Sequence, residues 1–497
     1  MQSLHHFPLG TLLPGSIHSV VCSLPTMRDI IGYEEKDLAI TAHLTAGYPR
    51  FVTHPLIIAT AEQIAKELGW QGTRPLLTPD ERTARQLVRF AGEGQAVAHA
   101  GFGVVLLPDV AEVRDRARSY LQHTGAGLSS REAEDWLFQR GLLAQVEPAQ
   151  LETTEPARKI QAKLHSLYGT TSPDDIYLTR GGMNAFFAAY QTVCNVQAPR
   201  DKYLWVQLGW LYLDTMRILE KFHLPGSEPV QLYNVFDLDT LEKLIAVRGH
   251  EIAGIVAEVP TNPLVQVCDL PRLRTLADRC GAALVLDPTI ASPHNVNILP
   301  YCDLHINSLT KYAGSEGDVM LGALAINGHS PLADELRNEI PRRLIKPYLR
   351  DTQRLAAQII NYGSVVETIN ANTAKVVEFL LGHPSVREVF WAAQPQSRGN
   401  FERIVRPGGG CGAIITFTLR KPLAEFYDRA RVVKGPSFGL KFTILCPFMF
   451  LAHYDLASNE AGRATMRSQG LDPDLIRLSV GTEPAEEIIA ALREGLE

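Results

Sequence analysis

The sequence predicts an α/β fold: a large domain built on a mostly parallel central sheet, followed by a smaller C-terminal α+β domain. Two observations carry this. After about residue 150, short uninterrupted apolar runs alternate with helix-patterned segments, as expected of strands buried on both faces of a parallel sheet. From about residue 346 the alternation gives way to helix with shorter strands. The chain divides accordingly into an N-terminal arm with an extra helix-and-strand segment (1–150), a large domain (151–345) and a small domain (346–497).

Taken in order, residues 1 to about 55 are rich in Pro, Gly and His and read as extended arm and loop. From His54 to about Trp70, the residues Leu56, Ile57, Ala61, Ile64, Ala65 and Leu68 recur at helical spacing. Gln95–His99 and Phe102–Leu107 read as short strands, and the charged stretch from Pro108 to Gln145 as helix with a Gly-rich break at Thr124–Ser130. In the large domain the candidate strands are Asp175–Leu178, Lys202–Val206, Ile252–Glu258, Ala282–Asp287 and Asp303–Asn307. Helices are expected between them over Gly182–Val193, Thr215–Lys221 and Leu270–Cys280. No internal repeat or low-complexity tract interrupts this plan.

Composition narrows the function class. The chain has 497 residues, 45% of them hydrophobic, which suffices for more than one core. A net charge of -6 and a pI near 6.2 give no electrostatic reason to expect nucleic acid or a membrane surface as partner. Seven scattered cysteines without CxxC or Cys/His metal spacing fit reduced thiols in a cytoplasmic enzyme. There is no apolar run of about 18 residues and no signal-peptide pattern at the N-terminus. Histidines such as His43, His54, His99, His123, His294, His305 and His453 are scattered and suggest no metal site. No GxGxxG follows a strand, which argues against a dinucleotide dehydrogenase.

The chemistry sits at strand ends. In open α/β sheets ligands gather at the carboxyl edge, and Glu258 and Asp287 both end apolar runs, while Lys311 lies just beyond a third. One acid at a strand end is ordinarily a cap; the combination with Ser308-Leu-Thr310-Lys311-Tyr312 is what pyridoxal phosphate (PLP) requires. The acid Asp287 would keep the ring nitrogen protonated, Lys311 would form the Schiff base and move protons, and Ser308 and Thr310 would hold phosphate. Gly181-Gly182-Met183 follows a strand and opens a helix, an arrangement suited to an anion. Tyr212, after the strand at Leu204, is either a core aromatic or a ring stacked on the cofactor.

These residues resemble the cystathionine γ-synthase family of PLP enzymes (fold type I), most of all its longer fungal-type members. Glu258-x-Pro-x-Asn262-Pro is similar to E-x-P-x-N-P, which implies that Asn262 bonds the cofactor's phenolic oxygen. Asp287-x-Thr289-x-Ala291-x-Pro293 resembles D-x-T-x-A-x-P, and Ser308-x-Thr310-Lys311-Tyr312 resembles S-x-T-K-Y. Tyr212-Leu-Asp-Thr215 is similar to Y-G-G-T, with Tyr212 as the stacking residue. Arg477-Leu-Ser-Val-Gly-x-Glu483 resembles R-L-S-x-G-x-E, whose Arg grips the substrate α-carboxylate through its fork of donors. Ser437-Phe-Gly439, with Pro447 and His453, resembles a segment that closes over substrate. Tyr48-Pro-Arg50 resembles an arm that reaches the phosphate of a neighbouring subunit, which implies a homodimer or homotetramer.

The sequence departs from that pattern in places. Gly181 replaces the usual serine of S-G-M, Ser315-Glu316 replaces G-H, and roughly the first 165 residues exceed the usual N-terminal arm. Arg180 beside the phosphate loop matches no role in the pattern. The resemblance implies γ-replacement on an O-acyl-L-homoserine, with cysteine giving cystathionine through a vinylglycine-type intermediate. Its alternatives are γ- or β-elimination, or γ-substitution by a carbon or other nucleophile. Asp287, Lys311 and Arg477 together argue against a catalytically silent scaffold.

Overall fold

Seven strands order the molecule, whose computed structural model describes residues 4–47 and 52–497. Before them come an antiparallel pair, β1 (Leu12–Leu13) and β2 (Val21–Cys22), and a three-stranded antiparallel sheet of β3 (Leu76–Thr78), β4 (Gln95–His99) and β5 (Phe102–Leu106) in the order β3-β5-β4. The central sheet contains β6 (Ile176–Thr179), β7 (Leu204–Leu208), β8 (Val230–Leu232), β9 (Ile252–Glu258), β10 (Ala283–Asp287), β11 (Leu304–Ser308) and β12 (Gly322–Ile326). Their order is β6-β12-β11-β10-β9-β7-β8. The run β8-β7-β9-β10-β11 is parallel, as the apolar runs imply, and β12 is antiparallel to both β11 and β6. That reversal has a local cause: a parallel return needs a crossover, usually a helix, and no helix lies between Ser308 and Gly322.

All residues of β9 are buried, and the helix Gly182–Gln197 packs across β9, β11 and β12. Each fully buried Val, Ile or Leu here contributes about 1.5–3 kcal/mol. C-terminal to this, β13 (Val386–Phe390), β14 (Ile414–Leu419), β15 (Val433–Lys434), β16 (Ile444–Pro447) and β17 (Ile476–Ser479) form a second sheet, ordered β13-β14-β17-β16-β15. The helices Tyr362–Gly382 and Ala485–Leu496 pack together beside it.

The N-terminal region is more structured than an extended arm. Met27–Glu34 is a helix held by a capping box between Thr26 and Asp29, and the Met27 N–H donates to Asp428 Oδ1 at 2.8 Å. Helices Pro55–Glu67, Glu81–Ala91, Ala111–Thr124 and Ser130–Gln139 accompany the β3-β5-β4 sheet. This module has its own small core, including Ile64, Leu77, Val104 and Trp136. It is tied to the rest of the chain by charge. Arg131, 1% exposed, donates to the Asp318 carbonyl at 2.7 Å, to Asp318 Oδ2 at 3.2 Å and to Asp351 Oδ1 at 3.2 Å. Arg354 also donates to Asp318, at 2.8 Å, and Arg350 reaches Glu134 and Asp135 on the module.

Tyr48 and Arg50 lie outside the described residues. Among the described residues no helix is long and apolar enough to cross a membrane, and no cluster of His, Cys, Asp and Glu could hold a metal ion.

Candidate active site

The parallel pairing of β9 with β10 puts Glu258 directly beside Asp287 at the carboxyl edge. Two carboxyls forced together out of water disfavour each other's charge. Burial, and then the charge of Asp287, push Glu258 well above the ordinary carboxylate range, opposed by the Tyr212 N–H it accepts and by Arg477. Burial raises Asp287 to about 6, against the pull of Thr289 and Lys311. Asp287 Oδ1 accepts from both the N–H (2.8 Å) and the hydroxyl of Thr289. Thr289 Oγ1 in turn accepts from the Ser308 N–H at 3.0 Å and from Asn307 Nδ2 at 3.2 Å, and Tyr168 donates to Asn307 Oδ1 at 3.0 Å. Asp287 is therefore held at the end of a buried chain of hydrogen bonds.

Lys311, three residues beyond β11, is 8% exposed. Its Nζ donates to Ser437 Oγ at 3.3 Å and stands 4.8 Å from the centre of the Phe438 ring. Burial, then the charge of Arg477, lower its amine to about 7, with Asp287 opposing. A largely neutral amine at physiological pH is a nucleophile and a base. Ser437 has φ +143°, a strained conformation for a residue with a side chain that costs about 1–3 kcal/mol and clusters at working sites. The strained turn presents both Ser437 Oγ and the Phe438 ring to the lysine.

Arg477 comes from β17 of the second sheet. Its guanidinium donates to Asn262 Oδ1 and to the Ser437 carbonyl, each at 3.2 Å. It lies 4.6 Å from the centre of the Phe448 ring and 5.3 Å from that of Phe438, so aromatic faces cover a cation that remains available for an anion.

The glycine pair closes the far end. Gly181 is the N-cap of the helix Gly182–Gln197, which no side chain caps, so its first N–H groups suit an anion. A Cβ on Gly182 would come 2.8 Å from Ser308 Cβ. Ser308 Oγ is buried and has no hydrogen-bond partner among the described residues, an arrangement that is costly unless a ligand completes it.

One cavity thus brings together Gly182, Met183, Tyr212, Asn262, Asp287, Thr289, Ser308, Lys311, Ser437 and Arg477. Gly181 sits behind the wall as the helix cap, and the Thr310 hydroxyl turns away to the Leu321 carbonyl at 3.3 Å. Arg180 points toward the module, paired with Glu132 at 2.6 Å. The walls to which the motif reading assigns no role are largely apolar: Phe186, Leu213, Phe438, Phe448, Leu451 and Ala452. Phe448 and Leu451 stand three apart on the short helix Phe448–Ala452, a spacing visible in the sequence but indistinguishable there from ordinary core.

A sheet edge carrying a buried acid, a lysine of lowered basicity and a glycine-lined anion cradle suits an enzyme that works through a phosphate-bearing cofactor. Residues 153–497 match the model of the Cys/Met metabolism PLP-dependent enzymes, and the chain belongs to that family. It is 40% identical to an L-2-amino-4-chloropent-4-enoate dechlorinase/desaturase of Streptantibioticus cattleyicolor, over 98% of this chain and 97% of the relative. It is 28% identical to a cystathionine gamma-synthase of Neurospora crassa, over 99% and 98%. Among solved structures, the cystathionine gamma synthase of Xanthomonas oryzae pv. oryzae superimposes with a TM-score of 0.58 at 23% identity, covering 69% of this chain and 86% of that one.

The enzyme is PLP-dependent, and its cavity suits the cofactor: the unpartnered Ser308 hydroxyl and the uncapped helix start fit a phosphate, and Asp287 fits a protonated ring nitrogen. Gly182→Ala should therefore destabilise the protein by about 1–3 kcal/mol through overpacking and weaken PLP binding. Thermal unfolding and a spectrophotometric PLP titration measure the two effects.

Proposed function

We propose that the enzyme carries out a γ-elimination: loss of hydrogen chloride from a γ-chlorinated amino acid of the L-2-amino-4-chloropent-4-enoate type. PLP, when bound, would supply an electron sink for the electrons left at Cα. Lys311 would hold the cofactor through Nζ and take the Cα proton. Asp287 would hold the ring nitrogen, Ser308 and the helix start at Gly182 and Met183 the phosphate, and Asn262 the phenolic oxygen, with Tyr212 beside the ring. Arg477 anchors the α-carboxylate so that the Cα–H bond points at Lys311, and Ser437 keeps the amine of Lys311 in place. In the net change, the Cγ–Cl bond breaks, chloride leaves with its electron pair, a proton is lost, and the carbon chain gains one degree of unsaturation.

The observation that carries this reading is the wall. Among the described residues, the cations lining the cavity are Lys311 and Arg477, and its apolar lining includes Phe186, Leu213, Phe438, Phe448 and Leu451. Elimination needs one amino acid with an apolar γ-substituent, which such a wall favours. Replacement by cysteine brings a second carboxylate and ammonium, which apolar surface desolvates at a cost. The 40% identity to a dechlorinase/desaturase over nearly the whole of both chains supports the same choice. The Neurospora crassa relative favours a second reading, cystathionine formation from an O-acyl-L-homoserine and cysteine. A homodimer or homotetramer with Tyr48 and Arg50 reaching a neighbouring site belongs to either reading.

The test supplies L-2-amino-4-chloropent-4-enoate, and separately O-acetyl- and O-succinyl-homoserine, each with and without cysteine. Chloride released in step with a product lighter by one HCl is the expected result. Cystathionine from the esters, with no chloride from the halide, would overturn the elimination reading.

A further inference from the structure

The module that precedes residue 151 touches the active site through a buried pair. His123 Nδ1 and Asp214 Oδ1 lie 2.8 Å apart, with His123 6% and Asp214 1% exposed. His123 occupies the last turn of the helix Ala111–Thr124. The end of that helix is fixed against the catalytic domain: Asn184 Nδ2 donates to the Thr124 carbonyl at 3.2 Å. Gly125, at φ +63°, packs so closely that a Cβ would come 3.2 Å from the Asn184 nitrogen. Asn184 belongs to the first turn of the helix that begins at the glycine cradle.

Asp214 occupies the second position of the helix Leu213–Phe222, whose N-cap is Tyr212 and which no side chain caps. An acid there is favoured by the helix dipole, but burying it requires a partner. Its neighbours Tyr212, Leu213 and Thr215 all line the cavity. Leu213 and Asp214 stand where the related pattern Y-G-G-T has its two glycines, so the module attaches where this chain departs from that pattern.

We propose that His123 is a positioning residue of the active site, acting through Asp214 on the Tyr212 segment, so that the N-terminal module is a working part of the PLP site. The helix end carrying His123 is locked to the cradle helix through Thr124 and Gly125. It can therefore set the distance between the phosphate end of the cavity and the face occupied by Tyr212. This holds whichever reaction the enzyme performs, because it concerns the seating of PLP.

The probe is PLP itself, titrated into the full-length cofactor-free protein carrying His123→Ala, Asp214→Asn or both. The PLP dissociation constant should rise about tenfold in each single variant, the lower end of what losing a supporting hydrogen-bond partner costs at metal sites. The visible circular dichroism per bound PLP should shrink, because the ring is no longer held at one tilt. The double variant should be no worse than the singles, the signature of a coupled pair. His123→Gln, which can still donate to Asp214, should recover part of the signal, and Arg85→Ala, exposed on the same module, should change nothing. An unchanged dichroism per bound PLP, or losses that add in the double variant, would overturn the proposal. If His123→Ala does not fold, His123→Gln and Asp214→Asn decide it by the same two readings.

Discussion

Lys311→Ala removes the visible absorption band that the PLP-reconstituted protein shows and lowers its activity by about 10²–10⁴-fold, the range lost with a positioned proton-transfer group. The reason is the environment of the amine. Burial and Arg477 hold it at about 7, so near neutral pH a large share is unprotonated and able both to bind the cofactor aldehyde and to take a proton. The same environment sets a pH dependence. The neutral fraction rises as pH passes upward through about 7, so PLP uptake by the cofactor-free protein should quicken between about pH 6 and 8 and level off above. Stopped-flow absorbance measures this rate. Rapid uptake unchanged down to pH 5, or an intact band in Lys311→Ala, would remove Lys311 from the role.

Arg477→Ala raises KM for the amino-acid substrate roughly a hundredfold while PLP stays bound, since a charge-assisted pair of N–H bonds to a carboxylate is worth about 3 kcal/mol. Steady-state kinetics beside a PLP titration separate the two effects. Arg477→Lys should rescue little, because an ammonium keeps the charge but not the fork that also meets Asn262 and Ser437. A second consequence travels through Lys311. With the neighbouring cation gone, its amine shifts upward and the PLP-uptake profile moves to higher pH, an effect that loss of a mere packing residue does not produce.

Much of this site is legible in the sequence because its parts are strand ends. Buried parallel strands read as unbroken apolar runs, so β9 and β10 declare themselves, and the acids that end them, Glu258 and Asp287, stand out at an apolar boundary; β11, Leu-His-Ile-Asn-Ser, is less apolar, and Lys311 is marked by its own motif. The walls do not stand out. Phe186, Phe438 and Phe448 come from separate elements, and an aromatic in sequence carries no mark of facing a cavity instead of a core. The Thr310 hydroxyl, which the motif assigns to the phosphate, donates to the Leu321 carbonyl in the turn after β11. The helix Met27–Glu34 hides among Pro- and Gly-rich neighbours because its support includes a bond from the Met27 N–H to Asp428, some 400 positions away. Glu81–Ala91 buries the narrow face Thr83, Ala84, Leu87 and Ala91 and turns its charged positions outward.

The guanidinium of Arg131 bears on how this protein can be handled and inherited. Asp351 lies on the catalytic side of the boundary and meets the Arg131 guanidinium from the other side, whereas Asp318 shares Arg131 with Arg354 of its own side. Cutting the chain near residue 150 would take from Asp351 its Arg131 partner and from Asp318 one of its two, and breaking a buried pair costs about 3–5 kcal/mol, a large part of the net stability of an ordinary domain. The family-matching portion is thus a poor candidate for expression by itself, and descent should have carried both portions as one gene.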